Sequence, residues 1–432
     1  MHNSSNTSGR AQRSGIGGVS KDDLLTKIGA PPIWTPMMRP AGVRSSDGRH
    51  FASVPANRPG RKVGRVRGLG RPVVVSDGTL VLAAPMSLTG RYGHLGRMAA
   101  AGLQQAVEDV FHRGGVQVGE RTLMPEVAIL DDGGTRAGVR HALDVLARAD
   151  LVIGPYGSDL VVEAARWAGE RSRVLWNHGG SADEAQRLSG VVSVPAPASH
   201  YFAPVLDAVV AQMPGARVLV AAGRGAFGNS AANGAVSAAG RLGMEVAVAA
   251  HDEISDQPDV DILLAAGSFA DDVALIRRLR RRPPVLAAVA AGLGAFAAEV
   301  RAEGVLAPSQ WEEGAHFHPD VGIRPSDVVR SLRARLSPLL EVGPNLGHID
   351  YPTAQAYAAA LIALRCVQEA GMVEDAALHA AARRLRCTTF FGRFGLGSDG
   401  RQTEHAVLVV QWHQQGKRLV WPPSLAEVPV EI

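Results

Sequence analysis

From residue 78 onward, the apolar positions fall into short runs separated by amphipathic stretches. Leu80–Ala84 is a continuous apolar run, and a turn of small residues follows at Pro85, Ser87, Thr89, Gly90, Gly93 and Gly96. Met98, Leu103, Ala106, Val107 and Val110 then recur at helical spacing, so this stretch predicts strand, glycine-rich loop and helix. The alternation continues with strands at Glu126–Leu130, Leu151–Ile153 and Val174–Trp176, and helices at Gly134–Ala149 and Leu160–Gly169. A second series follows the proline-marked segment Val194–His200. It predicts helices at Phe202–Met213, Ala231–Leu242 and Asp271–Arg280, and strands at Arg217–Ala222, Glu245–Ala250, Val260–Ala265 and Val285–Ala291. Strands that alternate with helices predict parallel sheets with right-handed crossovers.

The last third breaks this rhythm. Gln310–Asp320 is irregular, and Pro325–Leu339 and Tyr351–Ala370 read as helices, the second strongly apolar. Short β-runs return at Phe390–Phe394 and His405–Trp412. Two βα series followed by a returning segment imply two similar lobes. The expected division is residues 78–196 with 320–380 in one lobe and residues 197–319 with 385–422 in the other.

Charge separates the first part of the chain from the rest. Residues 1–73 hold 13 basic and 3 acidic residues, whereas the remainder holds 32 basic and 38 acidic. The high overall pI therefore belongs to the first part and does not argue for a nucleic-acid-binding fold. Residues 1–77 are expected to be a disordered basic tail, too polar to bury a core. The cluster Arg58–Arg71 within it reads as a solvated linker, with a phosphate or an anionic lipid surface as the alternative. Cys366 and Cys387 read as two buried thiols. No run of 18 apolar residues exists, so no membrane-spanning helix is expected.

Catalytic patterns are sparse. Gly223–Gly228 spells G-x-G-x-x-G between a strand and a helix, with Asp252 and Glu253 after the next strand. That context fits a dinucleotide-binding turn, and a nicotinamide-dependent oxidoreductase is the alternative functional reading. Glycines at such turns also serve purely steric ends. His316, His318 and Asp320 have the residue types of a metal site, but solvated surface is the simpler reading, and no metal or cofactor is expected. His178, in a strand-end loop, reads as a hydrogen-bonding group.

An ordered series of short motifs resembles the type I periplasmic binding proteins, in the group of branched-chain amino-acid and amide receptors of ABC transporters. The series runs P-M-S-L-T-G-R-Y-G-H-L-G at Pro85–Gly96, A-V-E-D-V at Ala106–Val110, R-G-G-V at Arg113–Val116 and D-D at Asp131-Asp132. It continues with V-I-G-P-Y-G-S at Val152–Ser158, N-H-G-G-S at Asn177–Ser181, D-Y-P-T-A-Q-A-Y-A-A-A at Asp350–Ala360 and V-V-Q-W at Val409–Trp412. The resemblance implies two Rossmann-like lobes with parallel sheets, joined by three hinge crossings and closing around a ligand. It implies no enzyme activity.

Ligands in such sheets bind outside the carboxyl ends of the strands, which brings Ser87, Tyr92, Tyr156 and Ser268 among the candidates. By resemblance, Ser158 falls where a ligand carboxylate or amide is hydrogen-bonded, with a helix N-cap as its structural role. Gly180 and Ser181 fall in the next ligand-facing loop, and Tyr201 falls near the first crossing. Phe227 falls at an aromatic wall, and Trp311 either stacks on the ligand or packs the hinge. Amino-acid-binding relatives place an acid after the strand equivalent to Val285–Ala290, yet this chain has Ala291. The expected ligand is an amino acid, amide or related carboxylate, and the expected receiver is an ABC permease or a regulatory protein. The resemblance places the protein in the cell envelope or periplasm. The written start carries no signal peptide, which would keep the chain in the cytoplasm.

Overall fold

The structure, a computed structural model, describes residues 78–342, 347–414 and 416–432. The expected tail, with its cluster Arg58–Arg71, lies outside the described residues. The first strand, β1 (Thr79–Met86), is apolar and buried over seven of its eight residues, as a strand covered on both faces must be. It is followed by β2 (Val116–Val118), β3 (Arg121–Asp131), β4 (Leu151–Ile153), β5 (Leu175–Asn177) and β6 (Val191–Ser193). These form one sheet of order β2-β3-β1-β4-β5-β6. β2 pairs antiparallel with β3, and β3, β1, β4, β5 and β6 run parallel. Because Met86 lies opposite Asp131, the loops after β1 and β3 leave the sheet side by side.

The second sheet takes β7 (Arg217–Ala222), β8 (Glu245–Ala250), β9 (Ile262–Ala266), β10 (Val285–Ala288) and β11 (Leu306–Ser309). The small hairpin β12 (Cys387–Thr389) and β13 (Gly392–Phe394) comes next in the chain and stands apart. β14 (Leu408–His413) and β15 (Gly416–Trp421) complete the second sheet, whose order is β15-β14-β11-β10-β9-β7-β8. β14 and β15 run antiparallel along its edge. The helices are α1 (Gly93–His112), α2 (Arg136–Val145), α3 (Ser158–Gly169), α4 (Asp183–Gln186), α5 (Ala203–Val209), α6 (Ala226–Arg241), α7 (Phe269–Arg278), α8 (Phe296–Glu299), α9 (Pro325–Val342), α10 (Tyr351–Ala370) and α11 (Asp375–Arg384).

α10 returns to the first sheet. Its face of Tyr357, Leu361 and Leu364 shares one core with Leu80 and Leu82 of β1 and Met98 and Leu103 of α1. Each such leucine buried from water contributes roughly 1.5–3 kcal/mol. The two helices can approach closely because a Cβ on Gly102 of α1 would overlap the Thr353 carbonyl, while α10 presents mainly alanines. The apolarity of α10 is thus the signature of a core helix, and no single described helix is long and apolar enough to cross a membrane.

Three crossings join the sheets, at residues 194–202, 310–324 and 395–407. Gln310 ties them together: its side chain exchanges two hydrogen bonds with the Ala196 backbone (3.0 and 3.3 Å), and its carbonyl meets His405 Nε2 at 2.8 Å. Burial pulls the His405 imidazole down to about 4, so it stays neutral and donates from Nε2. The hairpin β12–β13 buries Cys387, Phe390, Phe391 and Phe394 in the first core. The chain next joins the second sheet at β14.

Candidate functional site

Four loops of the first sheet meet at the carboxyl ends of its strands. The loop after β1 is pinned from β3. The Asp131 carboxylate accepts from Leu88 N at 2.9 Å and from Thr89 Oγ1 at 2.6 Å. Burial works against its ionised form, but the Thr89 hydroxyl and the amides of Gly133, Thr89 and Leu88 outweigh burial and hold the carboxyl below its ordinary value. Ser87 is fully buried and donates to Asp132 Oδ1 at 2.7 Å. Ser87 therefore fixes this loop from beneath.

The loop after β4 carries Tyr156, Gly157 and Ser158. Gly157, at φ +107°, is the N-cap of α3. A side chain there would be strained, and its Cβ would press on the Tyr92 ring at 2.7 Å. Ser158 is the first residue of α3 and not its cap. Its Oγ instead accepts from Ala182 N at 3.0 Å, in the loop after β5. Buried Asn177 shapes that next loop, because its Oδ1 accepts from Gly180 N (2.8 Å) and its Nδ2 donates to Gly180 O (2.7 Å). Gly180 is packed so tightly that a Cβ would stand 2.7 Å from Val161. His178 is buried beside it, and burial pulls its imidazole down to about 4, so it carries no charge.

The second sheet and the crossings bring aromatic rings to these loops. Tyr201, in the first crossing, donates its hydroxyl to Ser181 Oγ at 2.9 Å. The Phe227 ring meets Tyr201 edge-on at 5.6 Å, and Tyr92 meets Tyr156 edge-on at 5.7 Å. Burial pushes the Tyr156 hydroxyl above its ordinary value, and Tyr351 of α10 is among the groups close enough to act on it. The strand ends of the second sheet are held by buried Asp272. It accepts from Gly267 N (2.8 Å) and Ala290 N (3.0 Å) and meets His251 Nε2 at 2.8 Å.

Eight of the ten residues expected at the site thus lie in or directly beneath this group: Ser87, Tyr92, Tyr156, Ser158, Gly180, Ser181, Tyr201 and Phe227. Two do not join it. Ser268 is exposed and caps α7, exchanging hydrogen bonds with Asp271. Trp311 is buried against Phe390, with ring centres 5.5 Å apart and its indole donating to the Phe390 carbonyl at 3.2 Å. It is packed between the second crossing and the β12–β13 hairpin. The Gly223–Gly228 motif has steric reasons for each glycine. A Cβ at Gly223 would lie 2.6 Å from Gly267 Cα, Gly225 has φ +93°, and a Cβ at Gly228 would overlap the Gly223 carbonyl. α6 begins at Ala226, so the last glycine is inside the helix and packs it on the sheet. Asp320 accepts from Thr388 N at 2.7 Å, a structural bond within the second crossing's surroundings.

Sequence reasoning placed the start of α10 but missed the residue before it. Asp350 is its N-cap, yet the carboxylate makes no cap bond. It reaches the other sheet, where Oδ1 accepts from Gly294 N at 2.8 Å. Lys417 Nζ lies 3.9 Å from that oxygen and 3.0 Å from Glu312 Oε1, and it donates to Gly292 O at 2.8 Å. Burial pushes the Asp350 carboxyl up to about 6, against the pull of Lys417 and the Gly294 amide. A cavity of about 690 Å³ lies elsewhere, against the first and third crossings, with Ser199, Asn233 and Arg401 in its lining. Its charges pair with one another, Arg401 with Asp183 at 2.6 Å and Arg241 with Asp207 at 3.3 Å.

This arrangement has counterparts among known proteins. The family model described as periplasmic binding protein matches residues 80–417. No curated protein matches the chain significantly. A leucine-binding protein of Thermotoga maritima superposes with a TM-score of 0.64 at 17% identity, over 79% of this chain and 97% of its own. A branched-chain amino acid transporter substrate-binding protein of Streptococcus pneumoniae, solved with isoleucine, gives 0.61 at 12% identity, over 80% and 100%. An ABC-transporter solute-binding protein of R. palustris, solved with benzoate, gives 0.59 at 16% identity, over 79% and 95%. Identities this low carry the fold and not the ligand. With its two mostly parallel sheets, three crossings and facing strand ends, the chain belongs to the periplasmic binding protein family, as a solute-binding protein of the two-lobed type I fold.

Proposed function

We propose that the protein holds a small amino acid, amide or related carboxylate between its lobes and passes it to an ABC permease or a regulatory protein. The proposed lobes are residues 78–196 with 320–394, and residues 197–319 with 408–421. The ligand-binding group is Ser158, Gly180 and Ser181 from the first lobe, facing Tyr201 and Phe227, with Tyr92 and Tyr156 beside them. The observation that carries this reading is the convergence of the loops after β4 and β5 on Tyr201 and Phe227. First-turn amides of α3, those of Ser158 and Asp159 among them, have no acceptor within the helix, and the helix dipole there favours an anionic group. The Ser158 hydroxyl accepts one bond and still has its own proton to donate. The rings suit an apolar body. Leucine, isoleucine and benzoate, the solutes named for the relatives, each combine a carboxylate with such a body. A ligand touching both lobes favours the closed arrangement, because only that arrangement makes both sets of contacts.

The test is a thermal-shift screen of the full chain against leucine, isoleucine, benzoate and glutamine, followed by calorimetry. A ligand at a hundred times its Kd stabilises by about 2.7 kcal/mol, a clear upward shift. Ser158→Ala is then expected to lower affinity roughly ten- to a hundred-fold. A flat screen contradicts the reading.

A further inference from the structure

The two edges of the second sheet are finished differently. At one, the last residues of the chain cover β15: Glu427 N donates to Leu419 O at 2.7 Å, and the Glu427 carboxylate accepts from Leu419 N at 3.3 Å. At the other, β8 is paired with β7 alone. Its register with β7 is unbroken from Glu245 to Ala250, and the strand holds no proline, lysine or bulge. Natural edge strands use such devices to discourage pairing. Val248, near its centre, is 50% exposed.

The ladder determines which groups of β8 are left over. Arg217 O accepts from Asp261 N, and Gly223 N donates to Ala266 O. Odd-numbered residues of β7 therefore face β9, and even-numbered ones face β8. With Val218 opposite Val246, a parallel ladder turns Glu245, Ala247 and Ala249 toward β7 and Val246, Val248 and Ala250 outward. The Ala250 amide is taken by the Glu253 carboxylate at 3.0 Å. The N–H and C=O groups of Val246 and Val248 remain, without partners among the described residues. This set is self-complementary. Two antiparallel copies related by a twofold axis at Ala247 place Val246 of each opposite Val248 of the other, and each such pair exchanges both of its backbone bonds. The pairing ends there of itself, because the next outward amides are already used, Ala250 by Glu253 and Met244 by Ala239 O at 3.0 Å.

The side chains fit the same register. Val246 lies partly buried on the α6 side of the sheet and Val248 shares its face, so branched valines meet across the joint and Val248 leaves water. On the α7 side, where Ala249 packs, Ala247 meets its own copy, and a small residue suits that close approach. Glu245 falls beside the second copy's turn at His251. There the Arg278 guanidinium is held by the His251 and Ile254 carbonyls (2.6 and 3.0 Å) and, among the described residues, by no carboxylate, so acid meets base across the joint. We propose that β8 is an interaction edge whose occupant is a second copy of this chain, joined antiparallel through Val246 and Val248 into one continuous sheet. The proposed ligand-binding residues take no part in it, so it stands independently of the binding reading. One strand pair makes a small interface, and the dimer is therefore weak and forms with concentration.

Sedimentation velocity of the full chain, from about 1 μM to about 1 mM, is expected to show a monomer–dimer equilibrium. Val248→Lys places a charge in each half of the joint and should weaken the dimer roughly ten-fold or more. Its melting temperature when dilute should match the parent's, because Val248 is half exposed. Ala247→Cys reads the register. The two Ala247 Cα atoms on the axis are expected about 4.5 Å apart, within disulfide reach, so oxidised glutathione should give a covalent dimer. Glu245→Cys, whose two copies lie well apart in this register, should give none. Native Cys366 and Cys387 are buried and do not compete. A chain that stays monomeric throughout leaves the edge to a strand of another protein and overturns the assignment. So does a dimer that survives Val248→Lys, or one cross-linked by Glu245→Cys and not by Ala247→Cys.

Discussion

Two buried carboxylates, Asp272 and Asp350, differ in how far their own fold matches them. Both are 0% exposed, and both stand at the ends of strands in or against the second sheet. Asp272 receives donors on both oxygens: Gly267 N and His251 on Oδ1, Ala290 N on Oδ2. It ties the ends of β8, β9 and β10 into one rigid rim. Asp350 receives one amide, shares a lysine with Glu312 and leaves an oxygen empty. Asp132 is intermediate. One of its oxygens is also empty, but the other accepts from Ser87 and Gly134, and Arg91 offsets its charge. A carboxylate matched by its own fold holds the rim in place. One left half-matched is held in its neutral form more readily, because a proton meets the oxygen that no donor reaches.

The largest expected effect comes from breaking the matched site. Asp272→Ala leaves two buried amides and a histidine without an acceptor and should cost roughly 3–5 kcal/mol of stability, read by urea unfolding. A loss below about 1 kcal/mol would mean that the rim is held by packing.

Asp350 should behave in the opposite way. Its carboxyl is raised to about 6 from an ordinary 3.8, so the folded state holds a proton that the unfolded chain has lost. Stability then falls as pH rises from about 4 to about 6, by an amount on the order of 3 kcal/mol. The groups facing Asp350 are Glu312, Glu313, Lys417 and Gly294 from the second lobe and its crossing, and Tyr156 and Tyr351 from the first. Asp350→Asn should remove most of this slope in melting temperature against pH. A slope unchanged in the variant would place the proton elsewhere in the cluster.

The smallest effect belongs to His251. Burial lowers its imidazole, but the hydrogen bond and charge of Asp272 prevail and raise it above 6.5. Its contribution is therefore complete below pH 6.5 and fades as pH rises through the raised value. Burial also raises Asp272, which gives the same sign. His251→Phe should flatten the part of the stability profile above pH 6.5 that belongs to the imidazole, while Asp272, losing the partner that pulls its carboxyl down, moves further up and steepens the fall from pH 4 upward.

Much of the fold was legible because its signals are long. α10 spans Tyr351–Ala370 as its apolar run implied, and β1 with its loop and α1 followed directly from pattern. β11 went unread, since Leu-Ala-Pro-Ser is too short for a period and contains a proline. α11 was missed because its alanines and arginines give a weak apolar stripe, and α6 begins five residues before the expected start, inside the glycine motif. At the site, strand ends could be read because ligands gather there in parallel sheets. Ser158 and Ser268 occupy the same strand-to-helix position in sequence, and only exposure and partners separate them. Asp350 was hidden for a physical reason. An acid before a Tyr-Pro helix start looks like an ordinary cap, and its bond goes to an amide 56 residues away.

The most direct measurement is a crystal structure of the protein with the tightest solute from the screen. The account predicts density between the lobes, its carboxylate or amide end within hydrogen-bond distance of Ser158, Gly180 or Ser181 and its body against Tyr201 and Phe227. Density in the cavity lined by Asn233 and Arg401, with the strand-end loops unchanged, would contradict it.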